Sequence, residues 1–335
     1  MNVDQPLHVD GERRGRGDLS RLPPPPIAMR PGSSSLPAGI ETQASAVAAF
    51  LERHGLPGLV DIHTHFMPDQ VLAKVWHFFE SLGSAEHPSD LRWPITYKLD
   101  EADRLAVLRA FGVRRFTAML YPHKPDMAPW LNSWSSEFAS RTPDCAHTAT
   151  FYAEAGAPAY VLEAVNAGAE VFKVHVQVGG FDPADPVLDP VWGLLAERGI
   201  PVVIHAGSGP EPGRYTGPDP IRTMLARHPR LTLVIAHLGM PEYPEFLDIA
   251  AAHPHVHLDT TMAFTDFTEA LMPLPRDLLP RLGDLGDRIV LGSDFPNIPY
   301  PYLHQLEAIE RLDLGRDWLR AVLWDNGVRL LAAPG

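Results

Sequence analysis

From Gly58 onward the chain alternates short apolar runs with stretches of helical periodicity, and few architectures accept that alternation. The strand-like runs are 59–63, 115–120, 146–151, 170–176, 201–205, 231–236, 256–259 and 288–292. Helical patterns fall between them at 101–111, 157–167, 190–198, 220–228, 241–253 and 301–311, and an amphipathic helix over 317–331 closes the chain. Strands separated by helices imply right-handed crossovers and a parallel sheet. Eight such units over about 275 residues match a single closed α/β barrel of the (β/α)8 type. An open doubly wound sheet would share the local pattern, but no Gly-x-Gly-x-x-Gly follows the first strand, so its dinucleotide version lacks a phosphate loop.

The barrel is expected over 58–335. Ahead of it, residues 1–40 hold Arg-Gly-Arg-Gly, the run Pro23 to Pro26 and Pro-Gly-Ser-Ser-Ser, too little apolar surface to offset ordering, so a disordered tail is expected. Residues 41–57 form a lead-in, with a short helix stopped by Gly55. A long segment, 66–98, separates the first strand from its helix and carries Trp76, Phe78, Phe79, Trp93 and Tyr97. In a barrel such a segment lies over the catalytic face.

The formal charge of −13 argues against nucleic acid and anionic membranes as partners. The expected partner is a small molecule, and a homodimer is compatible with the composition. No run of about 18 apolar residues marks a membrane span, and no apolar segment follows the charged N-terminus as a secretory signal would require. One cysteine, Cys145, precludes an intrachain disulfide and fits a cytoplasmic setting.

Chemistry-bearing residues collect at strand C-termini. The first strand ends in His63-Thr64-His65, where alternation puts both imidazoles on one face and Ile62 on the other. The fifth ends in His205, the sixth in His237, and the eighth runs through Gly292-Ser293 to Asp294. Singly, each could be a hydrogen-bonded histidine or a helix-capping aspartate. Four coincidences at the end of a barrel where active sites lie point instead to a metal centre. On the fourth strand Lys173 and His175 share a face. His253, His255 and His257 in AAHPHVHLD lie where the seventh strand begins, the wrong end for chemistry. Ser208 lacks a nucleophile elbow, and Cys145 is expected to be buried and inert.

The set His63-x-His65, His205, His237 and Asp294, with VDIHTHFMP, FKVHVQVGGFDPADP, GIPVVIHAGSG, LVIAHLGMPEYPEF and RIVLGSDFPNIPY around it, resembles the amidohydrolase superfamily. Within it the text is similar to the branch of aminocarboxymuconate semialdehyde decarboxylase, over roughly 58–332. The resemblance implies a distorted TIM barrel with one divalent ion, usually zinc, held by His63, His65, His205 and Asp294. It implies that Asp294 also handles the proton of the activated water and that His237 is the catalytic histidine. A second ion is the alternative, ligated by His237 and bridged by a carbamylated Lys173. Lys173, His175 and Arg92 are the candidate substrate contacts, Arg92 by analogy with an arginine that grips a carboxylate in decarboxylase relatives. The activity expected first is hydrolysis of a carbon–nitrogen, ester or lactone bond by metal-activated water. Non-oxidative decarboxylation of a small aromatic or unsaturated acid is the alternative. A catalytically inactive barrel used for binding is a third, and its signature, a missing ligand, is not present.

Overall fold

Strands buried on both faces need apolar side chains at every position, and Val202-Val203-Ile204 and Leu233-Val234-Ile235 meet that demand with no exposed residue among them. The computed structural model describes residues 36–37, 39–85, 87 and 91–332. Its strands are β1 (Leu59–Asp61), β2 (Val113–Thr117), β3 (Cys145–Ala146), β4 (Thr148–Thr150), β5 (Val171–His175), β6 (Val202–His205), β7 (Leu233–Ile235), β8 (Val256–Asp259) and β9 (Ile289–Val290). All neighbours pair in parallel, in the orders β1-β2-β3 and β4 through β9. Because β3 and β4 are separated only by His147, they make one stave of the expected eight. The barrel closes through backbone bonds from Ile62 N–H to Leu291 O at 2.9 Å, Asp294 N–H to His63 O at 2.9 Å and His65 N–H to Phe295 O at 2.6 Å.

Alternation sorts the side chains into two apolar layers. Val60, Ile62, Val171, Val203, Val234 and Val290 pack together inside the barrel, while Phe172, Val202, Ile204, Leu233, Ile235 and Leu258 face the helices. With Val171 and Val203 inward, Lys173, His175 and His205 are inward too, one or two steps nearer the C-terminal mouth. β1 ends at Asp61, two residues sooner than the apolar pattern suggests. His63 and His65 are therefore placed by the closing backbone bonds beyond the ladder, and strict alternation about Ile62 does not set them.

Two helices stand where no helical pattern was expected, Asp69–Ser81 within the long segment and Ala128–Arg141 between the second and third staves. The closing helix is broken into Arg316–Arg320, a wider turn over Ala321–Asp325, and Asn326–Leu330. That break lets Val322 O accept from Leu291 N–H, while Asn326 Nδ2 donates to Gly286 and Ile289 carbonyls. The lead-in helix is Ile40–His54, seated by buried Ile40, Val47 and Phe50 and ended by Gly55 at φ 61°. Residues 1–35 and 38 of the expected tail lie outside the described residues; Leu36 packs against the core. Among the described residues no helix is long and apolar enough to cross a membrane.

Candidate metal centre and active site

The C-terminal ends of β1, β5, β6, β7 and β9 carry His63 and His65, Lys173 and His175, His205, His237, and Asp294 to one mouth. His63, His237 and Asp294 each offer a ligand atom, all within 4.8 Å of one another. His65 joins them through Nε2, 2.9 Å from Asp294 Oδ1, and His63 Nε2 stands 3.6 Å from the same oxygen.

The remaining imidazole nitrogens have fixed partners. His63 Nδ1 lies 2.8 Å from Asp259 Oδ2, His65 Nδ1 donates to Met119 O at 2.7 Å, and His237 Nδ1 donates to Thr261 O at 3.1 Å. Acceptors at all three Nδ1 atoms hold the protons there and leave the Nε2 lone pairs facing inward. With Nδ1 given to Met119 O, the 2.9 Å contact of His65 Nε2 with Asp294 Oδ1 needs either a second proton, on Nε2, or a cation between the two atoms. Neutral imidazoles and an ionised carboxylate are the donor set of a borderline divalent ion, so the residues fit such an ion.

Charge states agree with that donor set. Burial, helped by nearby Lys173, lowers His63 to about 4 against the pull of Asp259. Burial likewise lowers His237 to about 4, although Asp294 opposes it. Burial alone would raise the Asp294 carboxyl; His65, His237 and His63 outweigh it and hold the group well below the usual carboxylate range. Lys173 is fully enclosed, with Nζ 3.1 Å from His63 Nε2, and burial brings it down to about 8.

His205 is held differently. Its Nε2 donates to Gly209 O at 3.0 Å, so the lone pair is on Nδ1. Its ring stacks on His175 at 3.9 Å and 11°, because the two residues are register partners across β5 and β6. It meets His237 edge-on at 4.7 Å. Of the four residues expected as ligands, His63, His65 and Asp294 share one locus with His237, and His205 adjoins it through its edge-on contact with His237. His237 is thus closer to the ligand cluster than a histidine standing back from an ion. Arg92 is exposed and donates from Nη1 to Leu82 O within its own segment.

Two backbones here are strained. His237 has φ 55° and Asp294 φ 74°, left-handed values that side-chain-bearing residues adopt at a cost. Gly292, just before Asp294, has no alternative: a Cβ there would lie 2.1 Å from Thr261 Oγ1 and 2.8 Å from His63 Cβ.

A model of the amidohydrolase family matches residues 60–332. The chain belongs to the amidohydrolase family. Among solved structures, this amidohydrolase is similar to an uncharacterised TIM-barrel protein of Bordetella bronchiseptica, with TM-score 0.65, 20% identity, and 82% of this chain and 98% of the other covered. It is also similar to 5-carboxyvanillate decarboxylase of Sphingomonas paucimobilis, with TM-score 0.56, 14% identity, and coverage of 83% and 100%. A candidate 2-pyrone-4,6-dicarboxylic acid hydrolase of Pseudomonas putida gives TM-score 0.56, 18% identity, and coverage of 82% and 97%. At these identities the likeness shows a shared fold. None of the curated proteins matches this chain in sequence.

Three residues of the amidohydrolase site escaped sequence reasoning. Asp259 closes an apolar strand just as Asp294 follows one, a signal overshadowed by the histidines before it. Tyr121 follows the second stave, its ring 6.0 Å from His65 and 4.9 Å from His175; burial, with Asp294 adding, raises its phenol. Asp61 sits two residues before His63 and accepts from Ser293 Oγ at 2.6 Å and Tyr302 OH at 2.8 Å, joining the first and last strands.

Proposed function

We propose that this amidohydrolase is a metal-dependent hydrolase of a small lactone, ester or amide. The observation that carries the reading is the inward set of Nε2 lone pairs closed by an ionised Asp294. His63, His65 and Asp294 would hold a divalent ion, zinc being favoured by imidazole and carboxylate donors, with His205 completing the set through Nδ1. Bound there, the ion supplies Lewis acidity toward a carbonyl oxygen and toward water.

The chain's own residues supply the rest. Asp294, kept ionised, accepts the proton of attacking water and returns it to the leaving oxygen or nitrogen. His237, neutral above about pH 4, offers Nε2 to the reacting carbonyl or to a proton in transit. Lys173 places a positive charge beside the locus where negative charge develops. His175 and Tyr121, in ring contact with each other, offer surfaces against which a planar substrate packs. A second ion carried by a carbamylated Lys173 is the competing arrangement, and the placement of Lys173 beside His63 and among the histidines favours it more than the sequence did.

Decarboxylation on the same residues is the second reading. It is favoured by the aromatic segment over the mouth, where Trp76 and Trp93 both donate to Asn297, an arrangement suited to excluding water. The single buried Cys145 supports a cytoplasmic setting. The test is metal analysis of the purified protein followed by assays of the zinc-loaded enzyme in H2 18O. Substrates would be 2-pyrone-4,6-dicarboxylate, other lactones and amides, and 5-carboxyvanillate. Hydrolysis places 18O in the acid product and is abolished by chelation. Release of CO2 without 18O in the remaining product supports the second reading, and a protein that binds no divalent ion overturns both.

A further inference from the structure

Asp259 ends β8 with no exposed surface, and its two oxygens do different things. Oδ2 lies 2.8 Å from His63 Nδ1. Oδ1 accepts the backbone N–H groups of His237 at 2.8 Å and Thr261 at 3.0 Å. One carboxylate therefore touches an imidazole from the first stave and the backbone of the residue that ends the sixth. We propose that Asp259 is a positioning residue that locks His63 in the Nδ1–H tautomer, leaving Nε2 to take a metal, while it pins His237 in its left-handed backbone. This deepens the metal-dependent reading above and rests on it.

The geometry leaves one proton arrangement. A carboxylate cannot donate, so the His63–Asp259 contact requires the hydrogen on Nδ1. At the other edge of the ring, Lys173 Nζ stands 3.1 Å from Nε2 as a donor, which also requires a lone pair there. Gly292 lies against this pair: a Cβ there would press on His63 Cβ at 2.8 Å and crowd Asp259 Cγ at 3.3 Å. Both His237 and Leu238 have positive φ, 55° and 54°. The N–H of His237 is fixed on Oδ1, so this turn is held by the same side chain that orients His63.

Replacing Asp259 by asparagine separates the two tasks. The amide oxygen can still accept from His237 and Thr261, whereas the amide NH2 then faces His63 Nδ1. That favours the other tautomer, with a hydrogen on Nε2 that must leave before a metal can bind there. Alanine removes both functions.

Three measurements on full-length protein test this. The first is the His63 tautomer in metal-free wild type by 15N NMR of labelled histidines, assigned with a His63→Gln variant. The second is zinc affinity by competition with a chromophoric chelator, and the third is apo-protein melting temperature. We expect Nδ1–H at His63 in wild type and Nε2–H in Asp259→Asn. We expect zinc affinity lower by about 10- to 100-fold in that variant, with a melting temperature near wild type. Asp259→Ala should lose both affinity and stability. An Asp259→Asn protein that binds zinc like wild type overturns the proposal, and so does Nε2–H at His63 in the wild-type apo protein, whether or not a variant folds. A wild type that binds no zinc but shows Nδ1–H at His63 overturns the metal reading and leaves the tautomer lock standing.

Discussion

His257 and Asp259 are two residues apart on β8, share the inward face, and have opposite fates because they stand at different heights in the barrel. Asp259 reaches the catalytic mouth, where donors surround it. His257 lies near the N-terminal end, level with Val234, beside a cavity of about 240 Å³ that Thr232, Asp287 and Arg329 help line. Its Nδ1 is buried without a hydrogen-bond partner. Burial, with Arg288 adding, lowers it to about 4 from the ordinary 6.5. The sign of the consequence follows from linkage: between those values the unfolded chain binds more protons, so stability is full above about pH 6.5 and is lost as pH falls toward 4. At pH 5 the loss is about 2 kcal/mol. His257→Leu should remove most of that acid-side loss, read by urea unfolding of metal-free protein at pH 7.5 and pH 5. Identical pH dependence in the two proteins would mean that the imidazole meets water at that end.

At the scale of elements, the segment after β1 is fastened to the segment after β9. Trp76 Nε1 donates to Asn297 Oδ1 at 3.0 Å and Trp93 Nε1 to Asn297 O at 2.6 Å, while Asn297 N–H donates to Asp294 O at 2.8 Å. Thr96 N–H adds a bond to Ile298 O at 2.9 Å, and Trp93 stacks on Phe79 at 4.6 Å. The aromatic residues thus brace the turn that carries Asp294. Trp93→Phe keeps the ring packing and removes one donor. It should cost about 1 kcal/mol of stability. It should also lower kcat/KM about 10-fold at unchanged metal content, since small displacements of a proton-transfer group are costly. Steady-state kinetics with metal analysis of the same samples checks this; wild-type kinetics would show that the turn holds itself.

For the molecule as a whole, closure between the first and last strands is the step on which the site depends, because His63 and Asp294 lie on opposite sides of that seam. Asp61 is buried within it, accepting from Ser293 Oγ, Tyr302 OH and the N–H groups of His63 and Ser293. Burial raises its carboxyl to about 7, resisted by Ser293 and Tyr302. Asp61→Ala leaves several of these donors unpaired in the interior and should destabilise the protein by about 3 kcal/mol. Denaturant unfolding of the apo protein measures it. A loss below about 1 kcal/mol would mean that the backbone bonds close the barrel unaided.

The alternation of apolar runs and helical patterns by itself determined a parallel α/β sheet of eight staves, and the backbone bonds between the first and last of them close it into a barrel. Histidine or aspartate at the ends of the first, fifth, sixth and eighth runs determined at which mouth these side chains gather. Both are local signals: burial on two faces demands continuous apolar residues, and a polar residue just past such a run has few packing reasons to be there. Helices Asp69–Ser81 and Ala128–Arg141 lay outside the expected helical patterns, and their packing became evident only against the barrel. Tertiary structure alone decided which nitrogen each histidine presents. For His63 that depends on Asp259, 196 residues away, and for the Asp294 turn on Trp76, 221 residues from Asn297. It also decided that His205 stacks on His175, through the register of β5 and β6. The physical reason is one of range: periodicity reports on neighbours along the chain, whereas a tautomer or a braced turn depends on the group that closure brings opposite.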